Sequence, residues 1–436
     1  MENLWGRRLL TKELEQVPKE VIKNVESKSV PAVIKKGRSI QCNRCSKRTR
    51  IRECRLSESS FYCPHCLFLG RCDTSQKIYL FGQPEGSPRE VIFSWEGKLT
   101  ARQRKIAVKL AAPDKRRHLV WAVTGSGKTE MLYESLLTAL RAGGRVAVVS
   151  PRIDVCNELF LRFTAVFPEE QITLLHGKAD EPYRYSTFVI CTTHQLYRFY
   201  RAFDLLVIDE VDAFPYVGDP GLSYASDTAV KLQGKLIYLS ATPDDQTLKK
   251  IKPSFEIHRL ALRFHQRLLP EPQLVFWNNW RKNCLKPKKI RPLLKVIERL
   301  LEENHVLLFC PSIALMTSLK EILKVCLPHY RITDVSSRDE KRTRKVQKMR
   351  TESYDVLLST MILERGVTFE RVSVIVLGAD HPSFTKSSLV QIAGRADRKG
   401  AFTNSQVYFY YEEKTRAIQK ACREIKDMNR EGEKLR

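Results

Sequence analysis

The sequence predicts an α/β protein with two parallel-sheet domains in tandem, preceded by a small four-cysteine zinc-binding module. Three observations point there. Short, continuously apolar, β-branched runs alternate with helical stretches twice along the chain, the pattern of strands buried on both faces of a sheet. A stretch rich in Pro, Lys and Arg, from "HQRLLPEPQ" to "WRKNCLKPKKIRP", separates the two sets, as an inter-domain connection does. Ahead of both lies a segment poor in large apolar residues that carries Cys42, Cys45, Cys54, Cys63, Cys66 and Cys72.

These shifts divide the chain into an N-terminal basic segment (1–37), a four-cysteine module (38–95), a first α/β domain (96–262), a linker (263–292) and a second α/β domain (293–436). Strands of the first domain are expected at "HLVWAV", "RVAVVS", "STFVICTT", "LLVIDE" and "KLIYLSAT", and those of the second at "VLLFCPS", "YRITDVSS", "YDVLLST", "VSVIVLGAD" and "QVYFYY". The charged C-terminal run reads as a solvated helix.

A hydrophobic content of 43% over 436 residues supports packed cores and excludes a disordered chain. Lys and Arg outnumber Asp and Glu by 75 to 49, a formal +26, which makes an anionic polymer, nucleic acid above all, the leading class of partner. No run of about eighteen apolar residues suggests a membrane span, and "MENLWGRRLLTKELEQ" has no export-type apolar core. An intracellular protein is expected, with its twelve cysteines as free thiols or metal ligands rather than disulfides.

"CNRC" and "CPHC" stand seventeen residues apart. Cys42, Cys45, Cys63 and Cys66 thus form two C-x2-C knuckles at the spacing of a closed, structural zinc site. Cys54 and Cys72 are additional, and His65 lies inside the second knuckle, so one of them could replace a ligand. Arg44, Lys47, Arg48, Arg50, Arg52, Arg55 and Arg71 surround the knuckles and suit nucleic acid or an acidic partner.

"TGSGKTE" follows the apolar run Leu119 to Val123 and precedes a helical stretch from Glu130 to Leu140. A strand, a glycine loop and a helix in that order make a phosphate cradle, in which the backbone N–H groups of Thr124, Gly125, Ser126, Gly127 and Lys128 converge on an anion. Lys128 would reach the β- and γ-phosphates of ATP, and the Thr129 hydroxyl would hold magnesium. Ala122 stands where the strict pattern has glycine. Downstream, the run "LLVIDEVDAFP" ends in Asp209 and Glu210: Asp209 would complete the Mg2+ site and Glu210 would polarise the attacking water.

With these motifs in order, the chain resembles superfamily 2 helicases and translocases, whose motor is a tandem of RecA-like domains. Under that resemblance Thr100 and Gln103 of "LTARQ" correspond to the adenine-recognition segment. "SPRIDVC", "LHGK" and "CTTHQL" correspond to backbone-gripping segments, and Ser240 to Thr242 to the motif that links hydrolysis to movement. "LLFCPS", "STMILERGVTF" and "QIAGRADR" match the second-domain motifs, including Gly366, Gln391, Arg395 and Arg398. An arginine from the second domain can stabilise charge on the γ-phosphate. Arg152, Thr192, Thr193, Gln195 and Thr360 are candidates for nucleic-acid phosphate contact. Tyr197, Tyr200 and Phe203 are either base-stacking platforms or, as such aromatics more often are, core.

A cysteine module directly in front of a compact motor, with "TGSGKTE", "DEVDAFP" and "QIAGRADR", is most similar to the late competence protein ComFA family. PriA-type restart helicases share related motor motifs but carry their cysteine cluster inside the second motor domain. The resemblance implies an ATP-driven motor on single-stranded DNA, using ATP, Mg2+ and Zn2+, in the cytoplasm or at the inner face of the cell membrane. It also implies cooperation with competence proteins such as ComFC and the DNA-uptake channel, with room for peripheral membrane association and a homo-oligomer. Two other readings stay open: an ATP-regulated nucleic-acid binding switch, and a primosome-type or RNA-remodelling helicase. Glu210 together with Arg395 and Arg398 favours an enzyme, since a switch could dispense with one of them.

Overall fold

A computed structural model describes residues 1–15, 17–178, 183–351, 353–364, 369–397 and 404–436. The chain forms two compact units. The first comprises Met1–Val120, Thr129–Ser240 and Asp245–His258, and the second comprises Trp121–Lys128, Ala241–Asp244 and Arg259–Arg436.

The N-terminal part of the first unit contains two small sheets. Strands β1 (Arg8–Leu10), β2 (Ser27–Pro31) and β6 (Lys77–Phe81) form one antiparallel sheet in the order β1-β6-β2. Leu4, Leu9, Leu14, Val25 and Phe81 give it its own apolar core. The other sheet, β3 (Val33–Lys36), β4 (Ser39–Cys42) and β5 (Arg48–Arg50), is an antiparallel meander. The N-terminal basic segment is thus paired with residues 77–81, a partnership that no local pattern announces.

The large sheet comprises β7 (Arg117–Ala122), β8 (Val146–Ser150), β9 (Ile172–Leu175), β10 (Phe188–Thr192), β11 (Phe203–Ile208), β12 (Val230–Ser240) and β13 (Glu256–Leu260). Its order is β13-β7-β12-β11-β8-β10-β9. From β12 to β9 every pair is parallel. Val146 to Ser150 and Phe188 to Thr192 are buried throughout, as continuous apolar strands require.

The second unit holds a six-stranded sheet of β14 (Pro272–Phe276), β15 (His305–Phe309), β16 (Ile332–Val335), β17 (Val356–Ser359), β18 (Val372–Leu377) and β19 (Val407–Tyr411). All its pairs are parallel, in the order β14-β19-β18-β15-β17-β16. Alternate side chains serve two cores. Leu307, Phe309, Val374 and Val376 enter one, whereas Val306, Leu308, Ile375 and Leu377 enter the other. Period-two alternation with both faces covered explains why residues 306–309 and 374–377 carry no polar side chain.

All ten expected strands are present, and each unit carries a parallel sheet of the RecA-like kind. The connecting stretch 263–292 contains β14, paired with β19. No helix among the described residues is long and apolar enough to cross a membrane.

Two buried imidazoles sit at the β13 side of the large sheet. His118 on β7 and His258 on β13 lie 3.0 Å apart between Nδ1 and Nε2, and His118 Nε2 meets the Lys115 carbonyl at 3.1 Å. Burial pushes His258 down to about 4 from an ordinary 6.5, and His118 in the same direction. An unfolded chain takes up a proton as pH falls through 6.5, whereas folded His258 does so only near 4, so stability is lost across that window. Urea unfolding should show the first unit weakened by about 2 kcal/mol at pH 5 relative to pH 7. His258→Gln should flatten the difference, and an unchanged pH slope in that variant would remove His258 as its source.

Candidate nucleotide site and cysteine centre

The glycine loop leaves β7 at Ala122. Gly125 and Gly127 adopt φ of 77° and 73°, a left-handed backbone that L side chains resist. That conformation is what turns successive peptide groups toward one side, as an anion cradle needs. Lys128 folds back on the loop, its Nζ 2.8 Å from the Ala122 carbonyl oxygen and 3.0 Å from that of Val123. The helix expected from Glu130 begins as a 3-10 turn, Glu130–Leu132, and becomes α-helical over Tyr133–Arg141.

In the first unit, β8, β10 and β11 run parallel. Ser150, Thr192 and Asp209 therefore lie at one carboxyl edge, where an open α/β sheet puts its ligand. Glu210 follows Asp209 with φ of 52°, and its backbone N–H donates to Asp209 Oδ1 at 2.8 Å. A glutamate in the left-handed region is backbone strain of the kind that gathers at functional sites. Asp212 is buried and accepts from Ser240 Oγ at 2.7 Å. The acidic motif and the "SAT" motif are thereby locked side by side. Asp212 escaped the sequence reading because its partner is on another strand; the matched motif pair was the available signal.

Gln103 is buried, and its Oε1 accepts from the Thr100 N–H at 2.8 Å while Thr100 Oγ1 accepts from the Gln103 N–H at 3.3 Å. This reciprocal cap starts the helix Ala101–Ala111. Thr192 and Thr193 are buried, Gln195 is half-buried, and Arg152 precedes the helix Ile153–Val166. Tyr197 and Phe203 belong to the core, and Tyr200 is half-buried. Among these aromatics, packing thus outweighs base stacking.

In the second unit, Thr360 follows β17. Thr242 Oγ1 lies 2.6 Å from Ser387 Oγ and 3.5 Å from Gln391 Nε2. Arg395 is only 5% exposed and donates from Nε and Nη2 to the Glu364 carbonyl at 2.9 and 2.7 Å. Buried Arg263 holds the "GRAD" turn, donating to the carbonyls of Gly394, Ala396 and Asp397 at 3.2, 3.0 and 2.6 Å. Arg263 also went unread in the sequence, since a lone arginine in a basic linker carries no periodic signal. Gly366 and Arg398 lie outside the described residues.

Cys42, Cys45, Cys63 and Cys66 are fully buried, and their sulfurs all lie within 4.8 Å of one another. Cys42 and Cys66 are 3.8 Å apart, and Cys45 and Cys63 are 3.5 Å apart. Tetrahedral Zn–S bonds of about 2.3 Å put sulfurs about 3.8 Å apart, so this donor set fits zinc. Hydrogen bonding among the crowded sulfurs, led by Cys45 for Cys42 and by Cys42 for the other three, pulls the Cys42 and Cys66 thiols down and pushes those of Cys45 and Cys63 up. Cys72 also stands close, 3.7 Å from Cys42, and its thiol points to the Ala32 carbonyl. Cys54 instead meets the Arg50 carbonyl at 3.2 Å, and His65 is exposed.

Comparison with known proteins agrees with this layout. A family model described as "Competence protein ComFA N-terminal domain" matches residues 1–80. "Type III restriction enzyme, res subunit" matches 90–245, and "Helicase conserved C-terminal domain" matches 288–400. Competence protein ComFA of Streptococcus pneumoniae is 40% identical over 436 residues, covering 98% of each chain. The Bacillus subtilis ComFA is 37% identical, covering 98% of this chain and 94% of its own. Among solved structures, S. cerevisiae Dbp5 bound to RNA and ADP BeF3 superposes with a TM-score of 0.59 at 15% identity, over 76% of this chain and 88% of its own, a likeness of fold. With a cysteine module, two RecA-like sheets and full-length similarity to ComFA in hand, the chain belongs to the ComFA family of competence proteins, helicase-like motors of superfamily 2.

Proposed function

We propose that this chain is an ATP hydrolase that translocates on single-stranded DNA and helps draw transforming DNA into the cell, with other competence proteins such as ComFC and the uptake channel as partners. The observation that carries it is the strained Asp209–Glu210 turn, bonded within itself and tied through Asp212 to Ser240. A mere binding module has no use for a water-polarising acid coupled to a second motif. In this reading the loop N–H groups and Lys128 bind the β- and γ-phosphates. The Thr129 hydroxyl and Asp209 carboxylate, hard oxygen donors, would hold Mg2+, which supplies charge neutralisation. Glu210 orients water, and Arg395 and Arg398 offset charge developing on the γ-phosphate. Gln103, Gly366 and Gln391 complete the nucleotide contacts. Arg152, Thr192, Thr193, Gln195 and Thr360 hold the strand by its phosphates, which suits a motor indifferent to sequence.

Phosphate release should be measured with no nucleic acid, with single-stranded DNA, with duplex DNA and with RNA. Stimulation confined to single-stranded DNA is expected. Equal stimulation by RNA would favour a remodelling helicase, and nucleotide-dependent DNA binding with no turnover would favour a switch.

A further inference from the structure

Arg44 occupies the "x" position of the first knuckle, "CNRC", yet its guanidinium is turned inward and the residue is only 3% exposed. Nε and Nη2 donate to Cys66 Sγ at 3.4 and 3.3 Å. The same fork donates to the carbonyls of Cys66, Leu69 and Gly70 at 2.6, 3.2 and 2.6 Å. No carboxylate pairs with it among the described residues. A buried cation without a counter-charge is strongly unfavourable, and four neutral thiols would not supply one. Four thiolates around a divalent ion carry a net charge of −2, which the guanidinium complements.

The turn that Arg44 clamps also faces the motor. Phe68 sits in the 3-10 segment Pro64–Leu69, between the clamped carbonyls of Cys66 and of Leu69 and Gly70. Its ring packs edge-on to His194 at 4.5 Å between centroids and tilts against Tyr197 at 6.1 Å. His194 and Tyr197 lie in the 3-10 segment Thr193–Arg198, directly after β10. A second tie, Lys47 to Asp219 at 2.9 Å, joins the first knuckle to the residue that caps the helix Pro220–Ala229.

We propose that Arg44 is a positioning residue of the zinc centre. It donates to a ligand sulfur and fixes the second-knuckle turn, so that metal occupancy sets how Phe68 supports the 193–198 segment. This rests on the zinc assignment and on the reading of 192–195 as a strand-gripping segment.

The test uses the full chain. Arg44→Met, which keeps much of the stem and removes charge and donors, should lose zinc to a competing chelator at concentrations about 10- to 100-fold lower than the parent needs. In the Co2+-loaded chain the thiolate-to-metal charge-transfer band should shift, and Arg44→Lys should restore retention only in part because it lacks the fork. Phe68→Ala should keep its zinc and still lose affinity for single-stranded DNA, as Arg44→Met does. Equal zinc retention and an unchanged band in Arg44→Met would overturn the role in the metal centre. Loss of zinc from Arg44→Met, with DNA affinity unchanged in both Arg44→Met and Phe68→Ala, would overturn the link to the motor. A parent chain that takes up neither zinc nor cobalt would overturn the metal assignment and this inference with it.

Discussion

Lys128→Ala is expected to reduce ATP hydrolysis by about two orders of magnitude or more, the scale of losing a preorganised charge at a transferring phosphoryl group. The ammonium is held by two carbonyls of its own loop, so its position is set before any nucleotide arrives. The substitution removes the cation and both of those bonds. It leaves β7 and its buried neighbours Leu119, Val120 and Ala122 in place, so thermal unfolding should move by only a few degrees and separate a chemical loss from a folding one. Glu210→Gln makes the contrast. It keeps the loop, the lysine and Asp209, and should bind a fluorescent nucleotide like the parent while turning it over barely at all. Phosphate release and nucleotide binding, measured on both variants, assign the two roles. Turnover retained by Lys128→Ala would remove the loop from the phosphate site, and binding lost in Glu210→Gln would remove Glu210 from water positioning.

What could be read from sequence was whatever short-range chemistry dictates. "VAVVS" and "FVICT" announce strands because both faces are buried, which leaves no exposed position to blur the run. β9, "ITLL", was missed: it ends the sheet order and every residue in it is half-exposed, so its pattern is that of an ordinary loop with some leucine. β14 was hidden by the Pro-rich stretch around it, and its pairing with β19 joins residues more than a hundred positions apart. The same limit applied to the site. The glycines, Lys128, Asp209 and Glu210 stand out in the sequence because phosphate and metal chemistry demand those residue types at close spacing. Asp212–Ser240 and Arg263 act across strands or loops, and only the fold states which polar residues become neighbours. Gln103 shows a further difficulty, since one side chain can suit two tasks. Its Oε1 closes a capping box in this chain, an explanation of "TARQ" that needs no ligand at all.

Replacing both Cys42 and Cys45 by serine should abolish zinc binding and unfold the knuckle region, residues 32–76, while basal ATP hydrolysis survives. Between Ala32 and Gln76 the large buried apolar side chains are only Val33, Ile40, Phe61 and Leu69, too few to hold a meander and two knuckles together. A structural zinc contributes about 10–16 kcal/mol of apparent binding energy to domains of this kind, so its loss is decisive locally. The damage has a natural boundary. The β1-β6-β2 sheet owns a separate apolar core, and it is fastened to the motor by contacts that involve no cysteine. Arg145, almost wholly buried, donates to the Trp5 carbonyl at 3.0 Å and to Gln83 Oε1 at 2.9 Å, and the Tyr200 N–H donates to the Gly6 carbonyl. Limited proteolysis should therefore cut within 32–76 and leave the ends attached, metal analysis should fall to zero, and phosphate release without nucleic acid should stay near the parent rate. Zinc retained at the parent level would refute the four-thiolate ligand set and point to Cys72, whose sulfur already stands beside Cys42. Collapse of basal hydrolysis together with zinc would mean that the knuckles brace the 193–198 segment so firmly that the motor cannot fold without them.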